Sequence, residues 1–229
     1  MRRFFIIVMS FALSMRVNAQ ELKRTEPDFT DYIPLLKAAG YEVYTFDISS
    51  LKDNTYNLSF VIREYAKGER VSGSDYDVVS FTVPSRRMIS ELPEASQKQL
   101  LAERGAYDME KGIFKLAEKL SIGFSPSADS LKTMTLSVEN MGLARRNLAL
   151  KRLDGPVHGR EYGYEIRPFR VDTIRIGDFT PLLLIGSFWY DERAKIFRFC
   201  GEREFPADMS SETLKLVPHY YVVGIKVTQ

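Results

Sequence analysis

Cysteine and histidine are scarce in this chain of 229 residues, which has one cysteine and two histidines. The single cysteine, Cys200, cannot form a disulfide within the chain, so stability must come from packing. Cys200 could act as a nucleophile with His219 as its base. It ends the largely apolar run 196–199, however, where a free cysteine behaves as a small hydrophobic residue. We therefore expect Cys200 to be buried, reduced and non-catalytic, and we expect neither a metal site nor a cofactor.

A basic excess and a second long apolar run are also missing. The chain has 32 Lys and Arg residues against 30 Asp and Glu, whereas a nucleic-acid-binding domain shows a clear basic excess. Beyond the N-terminus the longest apolar run, residues 181–185, has the length of a strand and not the roughly 20 residues that a membrane-spanning helix needs. The composition therefore indicates no nucleic acid partner and no transmembrane segment after the N-terminal region.

The first nineteen residues have the order of a secretory signal peptide. Arg2 and Arg3 precede the short apolar run 4–15, and Val17 and Ala19 supply the small residues of a cleavage site. We predict removal of residues 1–19 and export to the periplasm or the cell exterior. An uncleaved N-terminal anchor is the alternative, because Arg16 follows the apolar run unusually closely. Without its three signal arginines, the chain has 29 basic residues against 30 acidic ones, a net charge of −1.

Alternation of apolar and polar residues dominates the remaining chain and predicts β-strands. The alternating runs are residues 41–48, 56–65, 79–83, 120–124, 134–138, 162–171, 173–176, 182–190, 195–200 and 220–227. Residues 182–185 are apolar on both faces, which predicts a central strand. Helical patterns are confined to residues 29–39 and 94–104. The sequence therefore predicts a mainly β protein, an antiparallel β-sandwich-like fold with one or two short peripheral helices.

The predicted number of domains depends on how the basic stretch between residues 141 and 161 is interpreted. Arg145, Arg146, Lys151 and Arg152 precede the turn residues 154–156. This composition is typical of a solvated linker, and an anionic glycan or lipid head group is the alternative reading. We predict a single β-rich domain over residues 20–229, with two β subdomains divided within residues 141–161 as the alternative.

Aromatic residues make up 12% of the chain and supply the candidate binding residues. The candidates are Trp189, Tyr190 and Tyr220, because exposed tryptophan and tyrosine rings can stack on sugars or anchor a protein partner. The competing interpretation is that these rings fill the space between two sheets. Solvent exposure distinguishes the two interpretations.

Four acidic residues suggest a hydrolase as an alternative function. Asp191, Glu202, Glu204 and Asp208 lie close together in the sequence, and two carboxylates that face each other can hydrolyse a glycosidic bond. The same positions are also typical of solvated turns and strand ends. We therefore name no catalytic residue, and we keep a glycan-active hydrolase as the alternative.

Several segments together carry a family resemblance. They are residues 120–131 (LSIGFSPSADSL), 136–141, 186–192 (GSFWYDE), 199–202 and 218–221. The chain resembles a family of exported proteins of unknown function, of about this size, from gut Bacteroides-type bacteria. The resemblance implies a β-sandwich-like fold and supplies no activity or functional residue. We expect an exported binding or structural module of the cell envelope. We favour a non-enzymatic role over an enzymatic one, and we expect a glycan or an envelope protein as the partner.

Overall fold

The computed structural model describes residues 24–51, 54–73, 75–83, 93–97, 107–108, 113–114, 117–127, 130–139, 141–153, 161–199 and 202–229. Over these residues the predicted mainly β fold is confirmed. The strands are β1 (Glu42–Asp47), β2 (Tyr56–Ala66), β3 (Glu69–Arg70), β4 (Tyr76–Val83), β5 (Tyr107–Asp108), β6 (Ile113–Phe114), β7 (Lys119–Phe124), β8 (Leu131–Val138), β9 (Gly142–Ala149), β10 (Tyr164–Arg170), β11 (Phe179–Ser187), β12 (Trp189–Asp191), β13 (Ile196–Arg198), β14 (Phe205–Pro206) and β15 (Tyr220–Thr228). The predicted signal peptide and Cys200 lie outside the described residues.

Two sheets form the body of the protein. The first has the strand order β1-β7-β8-β9 and is antiparallel throughout. The second has the order β14-β10-β11-β15-β2-β3, with β4 also paired to β2. Its pairings are antiparallel except the short parallel pairing of β10 with β14. The hairpins β12–β13 and β5–β6 form separate two-stranded ribbons.

The alternating sequence pattern places one apolar layer between the two sheets. Leu120, Ile122 and Leu136 of the first sheet and Leu183 and Val223 of the second are fully buried in one cluster. Burying a side chain of this size contributes about 1.5–3 kcal/mol relative to leaving it exposed. The cluster therefore holds the two sheets face to face, as the alternation predicts.

A second apolar cluster lies on the opposite face of the second sheet. Leu184 and Val222, which point away from the first sheet, pack against Phe205, Leu214 and Val217. Strand β11 lies between β10 and β15 and is covered on both faces. This double coverage confirms the central strand predicted from residues 182–185, because such a strand has no polar face.

Some segments differ from the predicted pattern. The run 182–190, predicted as one strand, is divided at Phe188 between β11 of the second sheet and β12 of a separate ribbon. Residues 142–149, read from the sequence as broken and basic, form β9, an edge strand that pairs with β8 along its length. Most of its side chains are exposed and only Leu148 is buried, so an edge strand of this kind shows no alternation. Residues 173–176 form a loop with a single bridge between Ile176 and Val227.

The first predicted helix is present and peripheral. It forms α1 (Phe29–Ala38), and none of its residues is buried. Asp28 caps it by accepting the Thr30 N–H at 2.7 Å, while Asp31 accepts the Asp28 N–H at 2.8 Å, which is a capping box. Of the second predicted helix, 94–104, residues 94–97 are described and helical. Two 3-10 turns, Ser49–Leu51 and Glu212–Lys215, complete the described helical elements.

Candidate functional site

An apolar cleft of about 670 Å³ lies between the two sheets, beside the edge strand β1. Both sheets and the loop between β10 and β11 contribute to its walls. The apolar lining includes Phe46, Leu120, Ile174, Ile176, Leu182 and Ile225. Ligand sites for small molecules have volumes of roughly 300–1,000 Å³ and predominantly apolar walls. The cleft therefore has the size and lining of a small-molecule site.

Hydrogen bonds donated by backbone N–H groups hold the loop that forms one wall of the cleft. The Gly177 N–H donates to the Val227 carbonyl at 2.7 Å, and the Arg175 N–H donates to the Thr180 hydroxyl at 3.2 Å. Gly177 has φ +84°, a conformation that glycine adopts without a steric penalty. Because Ile176 bridges to Val227, the loop is fastened to the outer end of β15.

The polar groups of the cleft are hydroxyls and two carboxylates. Asp47 and Asp172 line it together with Thr45, Ser50 and Thr173, and its described lining contains no lysine, arginine or histidine. The Asp47 carboxylate accepts the Ser49 N–H at 2.7 Å. Hydrogen bonds from the Ser49 side chain and backbone lower the pKa of Asp47. The cleft is therefore apolar inside and acidic at its polar positions.

Tyr220, one of the three predicted aromatic binding residues, belongs to the interior. It is 1% exposed and stacks on Tyr65, with ring centroids 4.9 Å apart and planes 1° from parallel. Burial raises the pKa of the Tyr220 phenol. Its ring cannot contribute to an exposed aromatic patch, which corrects that expectation and agrees with the core-packing interpretation.

Trp189 and Tyr190 lie together on the short hairpin formed by β12 and β13. Both rings are half-buried. Trp189 packs against the second apolar cluster, and Tyr190 contacts Phe197 with ring centroids 5.1 Å apart. These two residues are partly accessible, but each has one side engaged within the protein.

The four acidic residues of the hydrolase alternative each have a local partner. Asp191 accepts the N–H groups of Arg193 and Ala194, both at 3.0 Å, and so closes the β12–β13 turn. The remaining partners are the Ser211 and Thr213 hydroxyls for Glu202, Arg170 for Glu204, and the Ser210 N–H for Asp208. These interactions are typical of turns and surface ion pairs, which is the alternative to a catalytic role that the sequence also indicated for these four residues.

A buried hydrogen-bond chain surrounds His219, the residue first considered as a partner of Cys200. The Tyr164 hydroxyl lies 2.6 Å from Nδ1 of His219, and Nε2 lies 2.9 Å from the Glu64 carboxylate. Because a carboxylate only accepts, Nε2 carries the proton and Nδ1 accepts from Tyr164. The Lys151 N–H donates to the Tyr164 oxygen at 2.9 Å. Every member of this chain therefore has a matched partner.

The surroundings of this chain favour the neutral imidazole. Burial lowers the pKa of His219 and outweighs the opposing effect of Glu64. Burial likewise raises the pKa of Tyr164 to about 12. Since Tyr221 also donates to the Ala149 carbonyl at 2.8 Å, the His219 region connects the second sheet to the end of β9. This arrangement is a structural connection between the sheets, with its polar groups satisfied internally.

The described residues contain no group of three or more His, Cys, Asp or Glu side chains arranged to hold a metal ion. Among the same residues, no helix is both long and apolar enough to cross a membrane.

Sequence reasoning missed both the cleft and the His219 chain. The cleft has no sequence motif, because its walls come from five separate strands, the 3-10 turn after β1 and the loop between β10 and β11. The His219 chain had one usable signal: His219 directly precedes the largely apolar strand β15, where a buried histidine needs hydrogen-bond partners. The identity of those partners, Glu64 and Tyr164, depends on strand pairing.

Two facing β-sheets with an apolar cleft between them define a β-sandwich-like protein with a candidate site for a small ligand. A family model described as "Domain of unknown function (DUF5041)" matches residues 11–229, and the chain belongs to this family. No curated protein and no solved structure matches the chain significantly.

Proposed function

We propose that the protein is an exported, non-enzymatic binding module of the cell envelope and that the cleft beside β1 binds a small apolar molecule. The observation that carries the proposal is the cleft of about 670 Å³ lined by residues of both sheets. A cleft with these walls favours an apolar ligand, because removing apolar surface from water provides the driving force. Export is supported by the N-terminal charge and hydropathy pattern.

The rival functions have less support from the described side chains. A hydrolase needs two carboxylates that face a shared substrate, whereas Asp191, Glu202 and Asp208 are engaged with neighbouring backbone or hydroxyl groups. A glycan or envelope-protein partner on Trp189 and Tyr190 stays a prediction. Its surface is limited to two half-buried rings.

A substitution at the mouth of the cleft tests the binding proposal. Ile176 lines the cleft and is 47% exposed, so a glutamate there changes the cleft without disturbing the core. We expect wild-type protein to bind the neutral fluorescent probe N-phenyl-1-naphthylamine saturably. Ile176→Glu should weaken this binding about tenfold, because a charge next to an apolar ligand must be desolvated. Fluorescence titration measures both affinities.

Two matched variants control for probe binding elsewhere. Ile196→Glu makes the same change at a side chain that is 50% exposed on β13, and Leu35→Glu makes a similar change on α1, where Leu35 is 65% exposed. Both controls should retain the wild-type affinity. The proposal fails if the probe does not bind saturably, or if Ile176→Glu binds as well as the controls.

Export is tested separately by the mass of the native protein. We expect the species purified from its own cells to begin at Gln20, because the segment before it has the order of a cleaved signal. Intact-mass spectrometry of the periplasmic, extracellular and membrane fractions measures this. A periplasmic or extracellular species that still carries residues 1–19 would contradict the prediction, and a membrane-bound full-length species would favour the anchor.

A further inference from the structure

We infer that the cleft selects apolar ligands that carry a positive charge over those that are neutral or anionic. The inference rests on the proposed function, since it specifies the ligand class of the same site. It is drawn from the charges that line the cleft, which are the carboxylates of Asp47 and Asp172.

The lining charges have one sign over the described residues. Asp172 is exposed, and Asp47 lies at the end of β1, where its carboxylate is held by the Ser49 N–H at 2.7 Å. The basic residues closest to the two carboxylates do not line the cleft. Arg170 and Arg175 lie on either side of Asp172 in the sequence and are exposed, and Lys119 is the exposed strand partner of Asp47. The cleft therefore presents negative charge to a ligand that enters it.

The apolar walls of the cleft strengthen the effect of the two carboxylates on ligand selectivity. Phe46, Leu182 and Ile225 lie on the same cleft as the two carboxylates, and low-dielectric walls strengthen the field of nearby charges. An anionic head group would lose hydration and meet two like charges, whereas a cationic head group gains an ion pair. An alkyl chain with an ammonium head group matches both features of the cleft.

A competition experiment with three ligands that share a decyl chain and differ in the charge of the head group tests the inference. Decyltrimethylammonium, decyl glucoside and decyl sulfate, each below its micellar concentration, would displace N-phenyl-1-naphthylamine from the wild-type protein. We expect the cationic ligand to bind up to about fivefold more tightly than the neutral one for each carboxylate engaged. The anionic ligand should bind most weakly. High salt should reduce the preference, because these charges are partly exposed.

Asp172→Asn should remove much of the preference for the cation, measured as the ratio of the cationic to the neutral ligand's affinity within the same variant. Asp178→Asn is the matched control, because Asp178 is exposed on the same loop and does not line the cleft. Asp47→Asn provides a second test, since asparagine can still accept the Ser49 N–H without the charge.

The outcomes separate this inference from the proposed function. Equal displacement by all three ligands, or strongest displacement by the sulfate, would overturn the charge preference while leaving the cleft as a binding site. A preference that survives in Asp172→Asn and Asp47→Asn would also overturn it. Failure of the probe itself to bind would remove the proposed function and this inference together.

Discussion

Replacing Gly224 with alanine is expected to destabilise the fold by about 3 kcal/mol. Gly224 lies in the middle of β15, opposite Pro181 of β11, where the pairing shifts register between Pro181 and Leu183. A Cβ atom at this position would collide with the Thr180 carbonyl oxygen and come within 2.7 Å of the Phe179 ring. Because a backbone oxygen cannot rotate away, the two central strands would have to separate locally.

The Phe179 ring has little freedom to relieve the collision. The Arg63 guanidinium lies over it, 3.8 Å from the ring centroid, and displacing the ring would break this cation–π contact. A loss of 3 kcal/mol is large against a total stability on the order of 5–15 kcal/mol. Guanidinium chloride unfolding followed by circular dichroism measures the change.

Gly123→Ala is the matched control on the first sheet. A Cβ atom on Gly123 would meet its nearest neighbours at 3.9–4.0 Å, which is ordinary van der Waals contact. Its effect should lie within about 0.5 kcal/mol of zero. If both alanine variants had the same stability as the wild type, the close approach of β11 and β15 at Gly224 would be refuted.

Removing the Tyr164 hydroxyl is expected to cost about 2 kcal/mol. In Tyr164→Phe, the Lys151 N–H and Nδ1 of His219 both lose the partner they have at 2.9 Å and 2.6 Å. The loss at His219 is the costly one, because this side chain is buried and a buried polar group without a partner is destabilising. Lys151 is exposed, so the loss at its N–H contributes less. Tyr32→Phe, on the exposed helix α1, removes the same atom from a side chain that is 48% exposed and should be close to neutral.

The same hydrogen-bond chain should make stability depend on pH. Burial lowers the folded-state pKa of His219 below its ordinary value of 6.5, so the unfolded chain takes up a proton before the folded protein does. The contribution is fully present above about pH 6.5 and is lost as the pH falls from there towards the lower folded-state pKa. Unfolding free energies measured between about pH 7.5 and pH 5 should therefore decline in the wild type.

A His219→Gln variant separates this effect from other titrations. It should be less stable at neutral pH and should lose the decline over this range, because glutamine does not titrate. Asp28, Asp47, Asp191 and Asp208 have pKa values lowered from 3.8, so their titration falls at lower pH. A wild-type stability that stays constant between about pH 7.5 and pH 5 would contradict the prediction.

The clearest agreement between sequence and structure concerns strands with one buried face. The runs 120–124 and 134–138 are strands as predicted, and they pair with each other, with Leu120 opposite Val138 and Phe124 opposite Met134. A period of two specifies both the strand and its inward face, because a slip of one residue would expose every apolar side chain. The β9 strand carries no such pattern, since both of its faces are largely exposed.

The candidate site was much less accessible to sequence reasoning. Tyr220 was named as a candidate binding residue on its residue type, with core packing as the competing interpretation, and its face of β15 is covered by the second apolar cluster. The cleft joins Phe46 and Leu120 to Leu182 and Ile225, residues far apart in the chain. Such a site exists only after two sheets have packed, so no local pattern encodes it.

The sequence by itself determined the β class, most strand positions and the central place of β11, because alternation and double-sided hydrophobicity are local consequences of burial. Only the tertiary structure decided which sheet each strand joins, which tyrosines are covered, and where the sheets leave a cleft. It also decided that His219 meets Tyr164 and Glu64. These properties depend on contacts between distant segments, and the same local pattern is compatible with many such pairings.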